Sequence, residues 1–116
     1  EIDGHVASSP TAAQLKCGAT IYNYGQTASN VNITLPTASA NLLFVAHVGT
    51  AQASNYWRFT AATAGTIYLD GSATGKDYVQ FSAPAVGNYL TCHTFKSGAS
   101  SYSWICRTGA GTTSTN

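Results

Sequence analysis

Charge is the scarcest feature of this chain. Asp, Glu, Lys and Arg make up only 8% of its 116 residues, against about 25% in typical soluble domains, and the net charge is +1. The five cations, Lys16, Arg58, Lys76, Lys96 and Arg107, are scattered singly. Phosphate backbones call for clustered Lys and Arg, so no nucleic-acid partner is expected. No run of about 18 apolar residues exists, and the longest, Leu42-Leu43-Phe44-Val45-Ala46, is strand-sized, so no membrane insertion is expected. Methionine is absent, Glu1 is not an initiator and no secretory signal opens the chain, which reads as an excised domain or a processed product.

Chemistry-bearing residues are equally sparse. The carboxylates are Glu1, Asp3, Asp70 and Asp77, so a general acid and base would have to be Asp70 and Asp77, which flank one turn. The same turn can be drawn as a calcium cradle, but nothing like an EF-hand spacing supports it. His5, His47 and His93 lie far apart and lack Cys or His partners at zinc-ligand spacing. In a trimer, His93 or His47 from each subunit can meet on the threefold axis, although an ordinary strand histidine is the expectation. A triad of Cys92, His47 and Asp70 lacks any nucleophile elbow such as Gly-x-Ser-x-Gly. The reading is therefore not an enzyme, with no cofactor and no metal.

Three cysteines cannot all pair within one chain. Cys92 and Cys106 face each other if the second hairpin described below is correct, so a bond between them is feasible. The expectation is nevertheless three reduced and buried thiols, because cysteine is among the most buried residue types even without a bond.

What the chain does have is β-branched and aromatic residues in short runs between Gly, Pro and small-residue turns. A chain of 116 residues holds one domain. Strands are expected over residues 19–24, 31–35, 42–48, 56–60, 66–70, 78–82, 89–95 and 102–107, near the spacing of sandwiches and barrels. This predicts an all-β, jelly-roll-like antiparallel β-sandwich over residues 17–111, preceded by a linker (1–16) and followed by a mobile tail (112–116). Residues 76–108 read as two consecutive hairpins. In the second, a turn centred on Ala99 sets Cys92 opposite Cys106 and Thr94 opposite Trp104. Alternation places Leu90, Cys92, Thr94, Trp104 and Cys106 on one face and Tyr89, Thr91, His93, Phe95 and Ile105 on the other. Both faces are substantially apolar, so one is expected on the partner sheet and the other on a neighbouring subunit. Helix is expected at most as one turn over residues 10–16, capped by Ser9 with Pro10 at its first position.

The aromatics carry the functional reading. Tyr and Trp join an apolar plate to a polar edge, which suits both sugar stacking and protein interfaces. In Asn55-Tyr56-Trp57-Arg58, strand alternation makes Trp57 core and leaves Tyr56 and Arg58 as an exposed pair. Tyr56, Arg58, Asp70 and Asp77 are the candidate ligand-binding residues.

The succession Asn32-Ile33-Thr34-Leu35-Pro36, Leu43-Phe44-Val45-Ala46-His47-Val48-Gly49, Asn55-Tyr56-Trp57-Arg58-Phe59, Thr66-Ile67-Tyr68-Leu69-Asp70-Gly71, residues 78–90 and Trp104-Ile105-Cys106-Arg107-Thr108-Gly109 resembles the small C-terminal β-sandwich domains of bacteriophage tailspikes and tail fibres. The resemblance covers residues 20–111 and is one of strand style. It implies a non-catalytic homotrimer that holds three chains together at the distal tip of a phage tail, outside the host cell, and in some cases touches host-surface glycans. It supplies no catalytic motif. The alternative from the residues alone is an independent, monomeric carbohydrate-binding module.

Overall fold

A computed structural model describes residues 1–116. Ten strands run along the chain: β1 (Ile2–Asp3), β2 (Ala19–Tyr22), β3 (Val31–Thr34), β4 (Leu43–His47), β5 (Tyr56–Thr60), β6 (Ile67–Leu69), β7 (Tyr78–Ser82), β8 (Tyr89–Lys96), β9 (Tyr102–Ala110) and β10 (Thr113–Thr115). They form a six-stranded sheet in the order β1-β2-β4-β8-β9-β6 and a four-stranded sheet in the order β10-β7-β5-β3. The expected β-sandwich is present, and the eight expected strands are β2 to β9.

Both sheets are mixed, with four parallel pairings: β1 with β2, β2 with β4, β3 with β5, and β6 with β9. The reason lies in the connections. From β2 to β8 the chain changes sheet at every step, through connections of six to eight residues. Stacked sheets lie roughly 10 Å apart, a gap that connections of this length can bridge and that a two-residue hairpin loop cannot. After crossing to the other layer and returning, β4 lands parallel to β2 and β5 parallel to β3, whereas the return from β5 to β7 reverses direction and that pair is antiparallel.

This corrects the expectation of two consecutive hairpins. Only β8–β9 is one, with Cys92 facing Cys106 and Thr94 facing Trp104 as expected. β7 belongs to the opposite sheet and pairs with β5 and β10. Between β7 and β8 the chain turns through Ala83 (φ 51°), Pro84 and Gly87 (φ 93°). Pro84 has no N–H for a ladder, and its carbonyl instead accepts from Gln52 N at 2.9 Å.

The core lies between the layers as one cluster of 19 buried residues. Phe44 of β4 meets Phe59 of β5 across the layers at 5.3 Å and Trp104 of β9 at 5.6 Å. Trp57 is fully buried, as expected, edge-on to Phe59 at 4.8 Å and stacked on Phe81 at 5.8 Å. Cys92 and Cys106, both on the inner face of the larger sheet, form a disulfide, with their Cα atoms 4.1 Å apart. The expectation of three reduced, buried thiols is thereby corrected twice. The hairpin register brings two thiols face to face, and the third, Cys17, is exposed.

Both termini are part of the fold. In the segment expected as a linker, β1 adds to the edge of β2, Gly4 N donates to Tyr22 O at 2.7 Å, and Gly4 O accepts from Trp57 Nε1 at 2.9 Å. A Cβ at Gly4 would sit 2.8 Å from Ile21 Cγ2, so this close approach needs glycine. The single helical turn α1 (Ala12–Leu15) is capped by Thr11 rather than Ser9. Gln14 N donates to Thr11 Oγ1, Thr11 N donates to Gln14 Oε1, and Leu15 is buried in the core. In the segment expected as a mobile tail, β10 pairs with β7 in register Ser114 to Gln80.

Candidate functional site

The outer face of the four-stranded sheet gathers Tyr56 and Arg58 into a larger arrangement. Pairing sets Asn32, Arg58, Gln80 and Ser114 in one row across β3, β5, β7 and β10. Tyr56 precedes Arg58 by two on β5, and Tyr78 precedes Gln80 by two on β7, so the two rings flank the guanidinium diagonally. Arg58 Cζ lies 4.0 Å from the Tyr56 ring centroid and 3.8 Å from that of Tyr78. Both distances are well inside the roughly 6 Å range of cation–π attraction. Arg58 Nε donates to Gln80 Oε1 at 2.8 Å. Around this clamp the face is neutral and hydrogen-bonding: Thr60 Oγ1 donates to Asn32 Oδ1 at 2.5 Å, and the Ser82 and Ser114 hydroxyls meet at 3.1 Å.

Tyr56 and Arg58 are half-buried rather than fully exposed, because each covers part of the other. Tyr78 and Gln80 complete the arrangement and were not legible as partners of Arg58. Their strand was assigned to a hairpin with β8, and only its true neighbour, β5, brings them to Arg58.

Buried amides hold the start of β5 in place. Asn23, fully buried, donates to Gln26 Oε1 and Thr50 O and accepts from Gly49 N and Thr50 N. Gln26 Nε2 in turn donates to Ser29 O and Tyr56 O, Gln52 Nε2 donates to Gln26 O, and Asn30 Oδ1 accepts from Tyr56 N. Loops 23–30 and 48–55 are thereby tied to the strand end that carries Tyr56, and the buried amides are satisfied rather than left as a penalty.

Asp70 and Asp77 are not brought together as a pair. Asp70 (φ 50°) and Gly71 (φ 81°) turn the chain after β6, and the Asp70 carboxylate accepts from Thr108 N at 2.8 Å and Thr108 Oγ1 at 2.7 Å. Asp77 accepts from Gly65 N at 2.8 Å and from Asn116 Nδ2 at 3.2 Å. Both therefore tie loops of this chain to its strands, and neither makes an ion pair, Asp77 with Lys76 included. Asp70→Ala is expected to destabilise by about 1–2 kcal/mol in urea unfolding, from two lost hydrogen bonds and a left-handed backbone without its Asx side chain. Asp70→Asn, which tolerates that backbone and can still accept from Thr108, is expected to recover most of the loss.

The paper triad also dissolves: Cys92 is in the disulfide, and His47 stacks on Tyr89 at 6.1 Å. No three His, Cys, Asp or Glu side chains gather where they could hold a metal ion. The one ion pair joins His5 to Asp3, whose carboxyl is held below its usual value by hydrogen bonds from the His5 side chain and backbone N–H. The sign follows: that contact is present above the ordinary carboxylate range and is lost as pH falls through the lowered value.

Two further surfaces stand out. The outer face of the six-stranded sheet carries Leu43, Val45, Tyr68, Tyr89, Phe95 and Ile105, partly exposed and covered by no other element. At the hairpin end of the molecule, a cleft of about 340 Å³ is lined mainly by hydroxyls, among them Thr37, Thr63, Thr66, Ser97, Ser101 and Ser103. Set beside known proteins, the chain matches no family model, no curated protein and no solved structure.

Proposed function

We propose that this chain is a non-catalytic β-sandwich module of the kind found at the C-terminal tips of bacteriophage tailspikes and tail fibres, acting as a homotrimer on the virion, outside the host cell. The observation that carries the reading is the uncovered outer face of the six-stranded sheet. Leu43, Val45, Phe95 and Ile105 remain partly exposed there on strands whose other face places Phe44, Ala46, Leu90, Cys92, Trp104 and Cys106 in the core. Contiguous apolar surface on a sheet marks a contact with another chain. A second copy of the same chain fits the charge pattern: among the outward-facing residues of β4, β8 and β9, Arg107 is the only Lys, Arg, Asp or Glu. Copies meeting there do not set rows of like charges against each other.

Light scattering after size exclusion tests this. A mass of about 36 kDa, three times the 12.0 kDa chain, is expected over a range of concentrations. Ile105→Glu on the outer face is expected to yield a folded monomer, with the wild-type circular dichroism spectrum. A wild-type monomer at every concentration would overturn trimerisation as the role of this domain.

A second reading, contact with a glycan through the other sheet, rests on a separate observation. The Tyr56–Arg58–Tyr78 clamp lies on a face otherwise built of amides and hydroxyls, which matches the neutral donors and acceptors of a sugar ring. It holds for a trimer and for a monomeric carbohydrate-binding module alike.

A further inference from the structure

We infer that the glycan taken by the four-stranded sheet is acidic, and that Arg58 receives its carboxylate; this rests on the glycan reading above. An arginine has five N–H donors in a planar fork. In Arg58 one of them, on Nε, is committed to Gln80 Oε1. The Nη groups have no hydrogen-bond partner, and neither is among the buried unsatisfied atoms, so they reach solvent. The guanidinium is already oriented. Two rings hold it at 4.0 and 3.8 Å, and Gln80 fixes its rotation. Little side-chain entropy remains to be lost on binding, and a fixed fork matches a carboxylate through two parallel hydrogen bonds.

No anion of the chain answers this cation. Asp70 and Asp77 are bonded to Thr108, Gly65 and Asn116, Asp3 is bonded to His5, and Arg58 makes no ion pair. A half-buried arginine held without a counter-charge leaves its Nη donors free to receive an anion. The surroundings narrow the class. No second Lys or Arg shares the strand rows of this face, so it carries a single positive charge. Polyphosphates and nucleic acids call for several. Asn32, Thr60, Gln80, Ser82 and Ser114 supply neutral partners to either side of it, which suits a ligand with one carboxylate among many hydroxyls: a uronic or sialic acid residue of a surface polysaccharide.

The test is a panel of uronate- and sialate-containing oligosaccharides beside their neutral counterparts, read by calorimetry and by NMR shifts of the Arg58 Nε–H. Acidic members are expected to bind roughly 10- to 100-fold more tightly than neutral ones, the range of a hydrogen bond to a charged group, and to weaken as salt is raised. Arg58→Gln is expected to abolish the preference with an unchanged circular dichroism spectrum. Arg58→Lys, which keeps the charge and loses the fork, is expected to retain only part of it. Acidic and neutral members binding alike would overturn the role of Arg58 and leave glycan contact standing. A panel with no binder would overturn both.

Discussion

Trp57→Ala is expected to remove about 4 kcal/mol of stability, the largest loss from any single truncation in this domain. Domains of this size have a total stability of about 5–15 kcal/mol, so the variant should keep only about 1–11 kcal/mol and unfold at a much lower urea concentration than the wild type. Trp57 is fully buried at the centre of the four-stranded sheet, touching Phe59 and Phe81. Its removal leaves a cavity that two rigid aromatic neighbours cannot close. It also leaves the carbonyl of Gly4 without the indole N–H at 2.9 Å. That bond ties the N-terminal segment to the smaller sheet, while the β1–β2 pairing and the Gly4 N to Tyr22 O bond tie it to the larger one. Trp57→Phe keeps a ring but loses the donor and part of the buried ring volume, so it should lose about 2–3 kcal/mol, less than Trp57→Ala. Urea unfolding followed by circular dichroism separates the two. Hydrogen exchange supplies a local readout: the Gly4 amide, bonded to Tyr22 O, should lose protection in Trp57→Phe well before the amides of β4 and β8 do. Equal protection of Gly4 in wild type and Trp57→Phe would show that the indole bond does not hold the segment.

Strand positions were legible because alternation and turn residues are local properties. Tyr56–Thr60 and Tyr78–Ser82 agree with expectation to the residue, and the β8–β9 register followed from one short turn. Sheet membership was not, because it depends on which strands meet after the chain has crossed the core. A connection of eight residues can fold back as a loose hairpin or arch to the opposite layer, and its composition alone does not separate the two. The lengths carried a clue. Hairpin loops are mostly two to five residues, as in 97–101, whereas connections of six to eight recur from β2 to β8. Missing this hid Tyr78 and Gln80 from Arg58. The termini were misread for another reason. Low hydrophobicity there concealed three single anchors: the Gly4 carbonyl, Leu15 and the β10 ladder. Asp70 and Asp77 were recognisable as turn carboxylates, but their partners, Thr108 and Asn116, lie 38 and 39 residues away.

Breaking the Cys92–Cys106 bond is the second large effect. The bond closes a loop with a sequence separation of 14, and cross-links of that span stabilise by about 3 kcal/mol in the chain-entropy account. For a domain of this length the melting temperature should fall by roughly 10–15 °C. The unfolded chain gains the freedom that the cross-link denied it. The native hairpin keeps its ladder on both sides, from β4 through β8 and β9 to β6, so the reduced protein should still fold. Both sulfur-bearing residues are fully buried, whereas Cys17 is exposed. Thiol titration of the native protein should therefore find one reactive group, and three after unfolding in reductant. Burial also sets the kinetics. A reductant in native buffer must wait for the sandwich to open, so reduction should be slow without denaturant and accelerate with urea in step with unfolding. Cys92→Ala/Cys106→Ala removes the bond without that gate and leaves a small cavity, so it should melt slightly below the reduced wild type. If reduction proceeds rapidly in native buffer while the melting temperature stays unchanged, the bond neither lies in the core nor constrains the chain.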